Sequence, residues 1–241
     1  MSLHGKYVLI TGAARRIGRS IALAVAQAGG NVIIHHGHSE AEARSLLDAI
    51  TGFGRDAHII QADLEDTNLS AQLVSKAFSI GRLFALINNA AIFEPHNWQT
   101  TDLQSWNRHL AINLTSPFLL CQAFANHLHH GESGRIVNIL DWRVFRPGAD
   151  HLPYNVSNAG LAALTRSLAI SFAPNITVNG IAFGAILQPS DGADTTDIIR
   201  NVPAQRWADM DEVAQTVLFL LEGPAYITGE IIHLDGGRHL I

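Results

Sequence analysis

Residues 7–18 of the chain read YVLITGAARRIG, and this stretch decides the fold. Its first four residues are apolar and rich in β-formers, and Gly12 follows almost at once. Apolar residues then recur at the spacing of a helix face, at Ile17, Ile21, Val25 and Ala28. The pattern predicts a strand, a tight turn and a helix. Backbone N–H groups and the helix dipole at such a turn suit a pyrophosphate, so the stretch also predicts a dinucleotide site.

The same alternation of apolar runs and helix-period segments continues to the end of the chain. Further strands are predicted at Val32 to Ile34, His58 to Gln61, Leu83 to Ile87, Arg135 to Leu140, Ile176 to Ile181 and Ile231 to Leu234. Helices are predicted from about Glu40, through Leu69, Leu73 and Phe78, from about Ser116 to His129, from about Tyr154 to Phe172, and from Val213 to Leu221. Unbroken apolar runs are typical of buried parallel strands. We therefore expect residues 1–241 to form one α/β domain, a doubly wound, mostly parallel sheet of seven strands with helices on both faces.

Composition narrows the range of partners. The 241 residues are 47% hydrophobic and carry a formal net charge of -5, which gives no basic face for nucleic acid. The lone Cys121 lies in an apolar run and cannot form an internal disulfide, which fits the cytoplasm. No apolar run is long enough to span a bilayer, and the six residues before the first strand are too short for a leader. We expect a cytoplasmic chain with a small-molecule substrate and no nucleic-acid or membrane partner.

One long polar connection interrupts the pattern. Gln188 to Pro203 contains Gly, Asp, Thr and two prolines. Connections of this length are usually lids or are disordered. Residues 184–204 are therefore predicted to be a substrate loop.

The turn from Thr11 to Gly18 resembles the TGxxxGxG signature of the short-chain dehydrogenase/reductase family, whose members have a Rossmann-type fold. Arg16 replaces the middle glycine, and an arginine there is a feature of the pteridine reductases, in which it faces the cofactor. The resemblance implies NADPH or NADP as cofactor, with a second cation beside its 2′-phosphate. The implied contacts in this turn are Gly12, Arg15, Arg16, Ile17 and Gly18.

The end of the second predicted strand also favours NADPH over NADH. An NAD site normally places an acid there, whereas this chain reads HHGHS over residues 35–39. With no acid to repel it, a 2′-phosphate could be held by Ser39 and the two arginines. The segment resembles the His-x-His-Arg-Ser stretch of pteridine reductases, which implies cofactor contacts from His36, His38 and Ser39. The alternative is a metal site, which is disfavoured because these histidines have no i,i+4 pairing and no carboxylate partner; we expect no metal.

Two more segments follow predicted strands at the edge where open α/β sheets bind ligands. Asp63 and Leu64 match the family's adenine contact, and residues 88–91, NNAA, resemble its NNAG signature. The second resemblance implies cofactor contacts from Asn89, Ala90 and Ala91. In pteridine reductases a phenylalanine that stacks on the pterin follows this motif, and Phe93 has that place. The alternative for Phe93 is an ordinary core aromatic.

The catalytic group is expected after the fifth predicted strand. Asp141 stands where the family has serine, and Tyr154 opens the next helix, as in pteridine reductases, where aspartate and tyrosine together protonate the substrate. Asn113 matches the tetrad member that kinks a helix and relays water. The YxxxK lysine, which lowers the pKa of the tyrosine by its charge, is Asn158 here. Arg143 and Arg146 bring positive charge near Asp141, in a direction that the sequence leaves open.

Residues 178–184 resemble the family's VNxxxPG stretch, which implies cofactor contacts from Gly184 and Ile186, and residues 227–237 resemble its ITG...DGG segment. The resemblance therefore spans essentially the whole chain, and by analogy it implies a homotetramer.

Three functional hypotheses follow. The first is an NADPH-dependent reductase of a pterin-like or other small carbonyl or imine substrate. The second is a cofactor-binding relative that has lost turnover with its lysine and acts as a sensor or partner subunit. The third is a dehydrogenase of alcohols or sugars. Asn158 is the residue that separates the first two.

Overall fold

The computed structural model describes residues 2–129, 131–188 and 196–241. Its strands are β1 Tyr7–Ile10, β2 Asn31–His36, β3 Ala57–Gln61, β4 Leu83–Asn88, β5 Gly134–Asp141, β6 Ile176–Phe183 and β7 Ile231–Leu234. They form one sheet in the order β3-β2-β1-β4-β5-β6-β7, and every pairing is parallel. The predicted doubly wound sheet of seven strands is confirmed.

Helices connect these strands on both faces of the sheet. They are α1 Arg16–Gln27, α2 Glu40–Gly52, α3 Asn68–Ile80, α4 Leu103–Leu110, α5 Ser116–His127, α6 Leu152–Ser171, α7 Thr196–Arg200 and α8 Met210–Glu222. A π-helical turn, Ala111–Thr115, joins α4 to α5. Among the described residues no helix has both the length and the hydropathy needed to cross a membrane.

Alternate residues of the strands enter two separate cores. Ile10 and Ile34 pack with Val25 and Val217 of α1 and α8 on one face, whereas Leu9 packs on the other face with residues of α3, α5 and α6. Because both faces of each central strand are covered, apolar residues predominate on both faces of these strands. This double burial explains the unbroken runs in the sequence.

Two elements differ from the sequence prediction. The helix α4 was not predicted, although Leu103, Trp106 and Leu110 follow the helical period. It has eight residues, of which only His109 is fully buried. The short helix α7 lies inside the connection predicted to be a loop. Residues 189–195 of that connection lie outside the described residues.

The strand order reverses between β1 and β4. The connections that follow these two strands diverge to opposite faces of the sheet, which leaves a crevice at their carboxyl ends. The segments after β1, β4 and β5 are the ones for which the sequence predicts chemistry, and the topology brings them to this crevice.

Candidate active site

A cavity of about 360 Å³ lies at the carboxyl ends of the central strands. Most of the predicted site residues that follow β1, β4, β5 and β6 reach it. Those lining it are Arg16, Ile17, Asn89, Ala91, Phe93, Asp141, Tyr154, Asn158, Gly184 and Ile186.

The turn after β1 is tied to the segment after β4. Thr11 Oγ1 accepts hydrogen bonds from the backbone N–H groups of Asn89, at 2.9 Å, and Ala90, at 3.0 Å. The Asn89 side chain donates in return to the carbonyls of Thr11, at 2.9 Å, and Gly12, at 3.2 Å. Gly12 has φ +61°, and a Cβ there would meet Ala90 Cα at 3.1 Å. These bonds hold the turn open for a ligand at the start of α1.

His35, for which no role was predicted from the sequence, supports this turn. Its Nδ1 accepts from the backbone N–H of Gly12 at 3.2 Å, and its Nε2 lies 2.9 Å from the carbonyl of Ala62. Together these bonds require the neutral tautomer with the proton on Nε2. Burial lowers the pKa of His35 to about 4, so that this tautomer persists at neutral pH.

The side chain of His36, for which a cofactor contact was predicted, is directed away from the turn after β1. Its side chain is buried, with Glu40 Oε2 2.9 Å from Nε2, and neither ring nitrogen has a well-aligned hydrogen bond within the described structure. Side chains alternate along β2, which is why His35 faces the turn while His36 points to the opposite face. Glu40 is thus a carboxylate partner of His36, although none was expected from the sequence.

The residues expected to hold a 2′-phosphate surround an open site, but an acidic side chain lies among them. His38 is exposed, and the side chain of Ser39 makes no cap bond at the N-terminus of α2. Glu42, in the first turn of α2, lies 3.8 Å from Nε of Arg15. The expectation that no acid lies here is thus corrected, and Arg15 has a partner that a phosphate would have to displace.

The adenine contact predicted at Asp63 and Leu64 lies apart from the main cavity. Asp63 is about half exposed at the carboxyl end of β3, with Oδ2 3.9 Å from His38 Nε2. Leu64 is buried, and its carbonyl accepts from Ser116 Oγ at 2.7 Å. Both residues follow the strand next to β2, on the side where an adenine would lie.

The pH dependence of stability is expected to report on His35. Its pKa of about 4 lies below the ordinary 6.5, so folding favours the neutral form. Its contribution is fully present above pH 6.5 and is lost as the pH falls toward 4, by up to about 3 kcal/mol. His35→Gln, which keeps a donor for the Ala62 carbonyl but cannot titrate, should unfold with a shallower loss over this range in urea titrations. An unchanged pH slope in the variant would contradict the assignment.

Asp141 and Tyr154 meet in the cavity. The Tyr154 hydroxyl donates to Asp141 Oδ2 at 3.3 Å. Burial, opposed by Arg143, raises the pKa of the Asp141 carboxyl. Burial and then the Asp141 charge raise the pKa of the Tyr154 phenol well above 10. Tyr154 is therefore a neutral phenol at working pH, held as a donor.

Arg143 supplies the positive charge whose direction the sequence left open. The 3₁₀ turn Trp142–Val144 folds back so that the Arg143 N–H donates to Asp141 Oδ1 at 2.9 Å. Its guanidinium nitrogen Nη1 then lies 3.3 Å from Asp141 Oδ2. The cation lowers the pKa of Tyr154 but does not offset burial and the carboxylate.

Asn113 lies in the π-helical turn between α4 and α5, where the resemblance implied a kink. Its amide accepts from the N–H of Ile92 at 3.0 Å and donates to the carbonyl of Ile92 at 3.0 Å. It also contacts Ser157 Oγ at 3.2 Å. Insertions of this kind are frequent at functional sites. Here the turn places the Asn113 amide against Ile92, next to Phe93 in the segment that follows β4.

Phe93 is not a core residue, because half of its surface is exposed. Its ring stacks on His151, with centroids 3.9 Å apart and planes 8° from parallel. Tyr154 meets it edge-on at 4.7 Å, and the Arg143 guanidinium lies 5.2 Å from its centroid. The alternative of an ordinary core aromatic is wrong; Phe93 is a wall of the cavity.

Comparison with known proteins decides the family. A family profile described as enoyl-(acyl carrier protein) reductase matches residues 12–239. The chain belongs to the short-chain dehydrogenase/reductase family. Among its relatives, 3-oxoacyl-[acyl-carrier-protein] reductase FabG of Aquifex aeolicus is 35% identical, with 98% of each chain covered. FabG of Staphylococcus aureus is 32% identical, again with 98% of each chain covered.

Solved structures extend the comparison. FolM alternative dihydrofolate reductase 1 from Brucella canis, complexed with NADP, has a TM-score of 0.93 and 36% identity, covering 100% of this chain and 97% of that one. A blue fluorescent protein from a metagenomic library, in complex with NADPH, has a TM-score of 0.92 and 30% identity, with 99% of each chain covered. The sheet and its crevice are therefore those of short-chain dehydrogenases/reductases that bind NADP(H).

Two departures from the family pattern have structural consequences. Arg16, in place of glycine, has φ +52°, a left-handed conformation that a non-glycine residue adopts at some cost. Asn158, in place of lysine, is buried, and its amide lies 3.5 Å from the carbonyl of Tyr154. The chain's two lysines, Lys6 and Lys76, are not among the described residues that line the cavity.

Proposed function

We propose that the protein is an NADPH-dependent reductase of a pterin-like or other small carbonyl or imine substrate. The observation that carries the proposal is the pairing of the Tyr154 hydroxyl with Asp141 at 3.3 Å in the cavity reached by Arg16. A neutral phenol beside a carboxyl group can protonate a ring nitrogen or a carbonyl oxygen. The 36% identity to a dihydrofolate reductase complexed with NADP supports a heterocyclic substrate.

The residues around the turn fit a dinucleotide. A Cβ at Gly18 would lie 2.2 Å from the carbonyl oxygen of Gly12, so this position requires glycine and leaves the start of α1 open to a phosphate. Asn89 and Ala91 would hold the nicotinamide half, and Arg15, Arg16 and Ser39 the 2′-phosphate. The cofactor supplies hydride, and the protein's own groups supply the proton and the orientation.

Proton delivery is divided among three side chains. Tyr154 donates through its hydroxyl, Asp141 holds that hydroxyl and faces the substrate, and Arg143 stabilises the negative charge that develops on the pair. Because the pKa values of both acids are raised, each retains its proton to a higher pH than usual. The arrangement favours proton donation, and hence reduction, over proton abstraction.

The simplest test is NADPH oxidation, followed at 340 nm, with panels of dihydropterins, quinones and 3-oxoacyl thioesters. The thioesters test the second candidate function, reduction of 3-oxoacyl groups, which the FabG relatives favour. A dihydropterin turned over faster than any thioester or quinone would support the proposal. NADPH binding without turnover of any compound would contradict it and favour the cofactor-binding relative.

Cofactor preference is expected to depend on Arg16. Two arginines at the turn should make NADPH bind at least tenfold, about 1.4 kcal/mol, more tightly than NADH in calorimetry. Arg16→Gly should reduce this ratio by removing a charged contact worth about 1.5 to 3 kcal/mol. The same change relieves the φ of +52° and should leave the melting temperature equal or higher. Arg55→Gln, at the amino end of β3, is the control. An unchanged ratio of NADPH to NADH affinity in Arg16→Gly would refute the contact between Arg16 and the 2′-phosphate.

Phe93→Ala is expected to weaken substrate binding selectively. Half of the ring is exposed, so its loss should destabilise the fold by less than the 3 to 5 kcal/mol typical of a buried phenylalanine. The apparent dissociation constant of a pterin analogue should rise about tenfold, since an aromatic pair is worth about 0.5 to 1.5 kcal/mol. NADPH binding should be unchanged. A large stability loss with unaltered pterin affinity would make the ring purely structural.

A further inference from the structure

A second cavity, of about 570 Å³, adjoins the catalytic one. The two share Trp142 and Arg238, and the second cavity also contains the exposed Arg146. A substrate bound beside Tyr154 can therefore extend past Trp142 into a second compartment. What that compartment would accept depends on its charges.

In the part of the chain that the structure describes, the two arginines of this compartment have no ion pair, in contrast to their neighbours. Arg143 pairs with Asp141 and Arg206 with Glu212, whereas Arg146 and Arg238 form no salt bridge with the described part of the chain. Asp235, the carboxylate close to Arg238 in sequence, already accepts bonds from the N–H groups of Gly237, at 2.9 Å, and His239, at 2.8 Å. Within the described residues, the compartment thus contains two arginines that have no salt-bridge partner.

Arg238 is also preorganised. The Asp235 carboxylate fixes the turn from which Arg238 projects, and the guanidinium lies 4.2 Å from the centroid of the Trp142 ring. Burial, and then the positive charge of Arg143, lower the pKa of Arg238. An anion bound beside Arg238 would stabilise its charged form. Arginine's planar fork suits a carboxylate or a phosphate.

We infer that Arg238 and Arg146 form a subsite for an anionic group on the substrate's tail, a carboxylate or a phosphate, while the reducible group lies at Tyr154. This inference rests on the proposed function only for the placement of the reducible group at Tyr154. It assigns substrate specificity to Arg146, which follows β5, and to Arg238, which follows β7. The substrate is thus a small molecule with an anionic extension, and an uncharged analogue would be reduced less efficiently.

Matched substrate pairs test the subsite. Dihydrofolate, whose tail carries carboxylates, is compared with dihydrobiopterin, whose tail is uncharged; acetoacetyl-coenzyme A, which carries phosphates, is compared with ethyl acetoacetate. In Arg146→Met, kcat/KM for the charged member of the active pair should fall about 10- to 100-fold, with the uncharged member within twofold. In Arg238→Met, whose side chain also lines the catalytic cavity, the ratio of kcat/KM for the charged member to that for the uncharged member should fall by the same factor. Arg55→Met, which removes the same charge at the far edge, should change neither. The pair that responds identifies carboxylate or phosphate.

The outcomes separate the subsite from the reductase activity. Binding of oxidised folate and biopterin to the NADPH-loaded protein is measured by calorimetry, independently of turnover. If no compound is reduced but folate binding still falls with both arginine variants, the subsite stands and the proposed function fails. If dihydrobiopterin is reduced and no variant alters the charged-to-uncharged ratio for either pair, the subsite is overturned and the function stands. Equal losses for charged and uncharged substrates in both variants would also overturn it, as a structural effect.

Discussion

Tyr154→Phe is expected to lower the rate of NADPH-dependent reduction by about 100- to 10,000-fold, the usual contribution of a general acid. The phenol is the proposed proton donor, and its pKa lies well above 10 because it is buried beside Asp141. It is therefore protonated across the whole working range, and its removal cannot be mimicked by a change of pH. NADPH affinity should be retained, because only one hydroxyl is lost. Steady-state rates and calorimetry on the same preparations measure both quantities.

Tyr7→Phe is the matched control. Tyr7 also has a raised pKa, caused first by burial, and its hydroxyl also bonds a carboxylate, Asp56, at 3.2 Å. It lies at the start of β1, at the opposite edge of the sheet. Tyr7→Phe should leave the rate unchanged. If wild type and Tyr154→Phe instead share one background rate with every substrate while binding NADPH, the protein is a cofactor-binding module and the reductase proposal fails.

The sheet could be predicted from sequence because each central strand is covered on both faces. Double burial produces runs such as residues 83–87, which no helix of that length would show, and β1 and β7 have the predicted bounds. Helix ends were less certain: α5 ends at His127 and α6 begins at Leu152. The unpredicted α4 is nucleated by a capping box in which Asp102 and Ser105 bond each other's backbone. The apolar period of α4 extends over only eight residues, which is too short to predict a helix from periodicity alone.

Site residues could be predicted from the sequence where their position after a strand is enough to bring them to the cavity. Asp141, Tyr154 and Phe93 all reach the cavity because parallel strands end at one edge. The direction of a side chain within a loop or strand was not predictable in the same way. His35 rather than His36 supports the turn, and the signal that could have shown it was the alternation of side chains along β2. The fold-back of Arg143 depends on a 3₁₀ turn that no sequence period marks.

Asn158→Lys is expected to increase the rate of oxidation more than the rate of reduction, because it adds a positive charge near the Tyr154 phenol. An ammonium group a few Å from a phenol lowers its pKa by about 1 to 3 units. In wild type that cation is absent, and the pKa of Tyr154 is raised above 10, so the neutral phenol can donate a proton but cannot abstract one near neutral pH. The variant should therefore gain oxidation of a tetrahydropterin by NADP by about 10- to 1,000-fold between pH 7 and 9. Reduction should gain less, because the donor is already protonated.

The control for this substitution is Asn158→Met, which has a similar shape without the charge. Position 158 is buried, so the lysine variant should be less stable than the methionine variant, by a few kcal/mol at most because Asp141 offers a counter-charge. The phenolate absorbance of Asn158→Lys, after subtraction of the double variant with Tyr154→Phe, should appear at a lower pH than in wild type. If the methionine variant gains oxidation equally, the charge argument is wrong. If wild type has no turnover and only the lysine variant acquires it, Asn158 marks a relative that has lost catalysis while keeping its site.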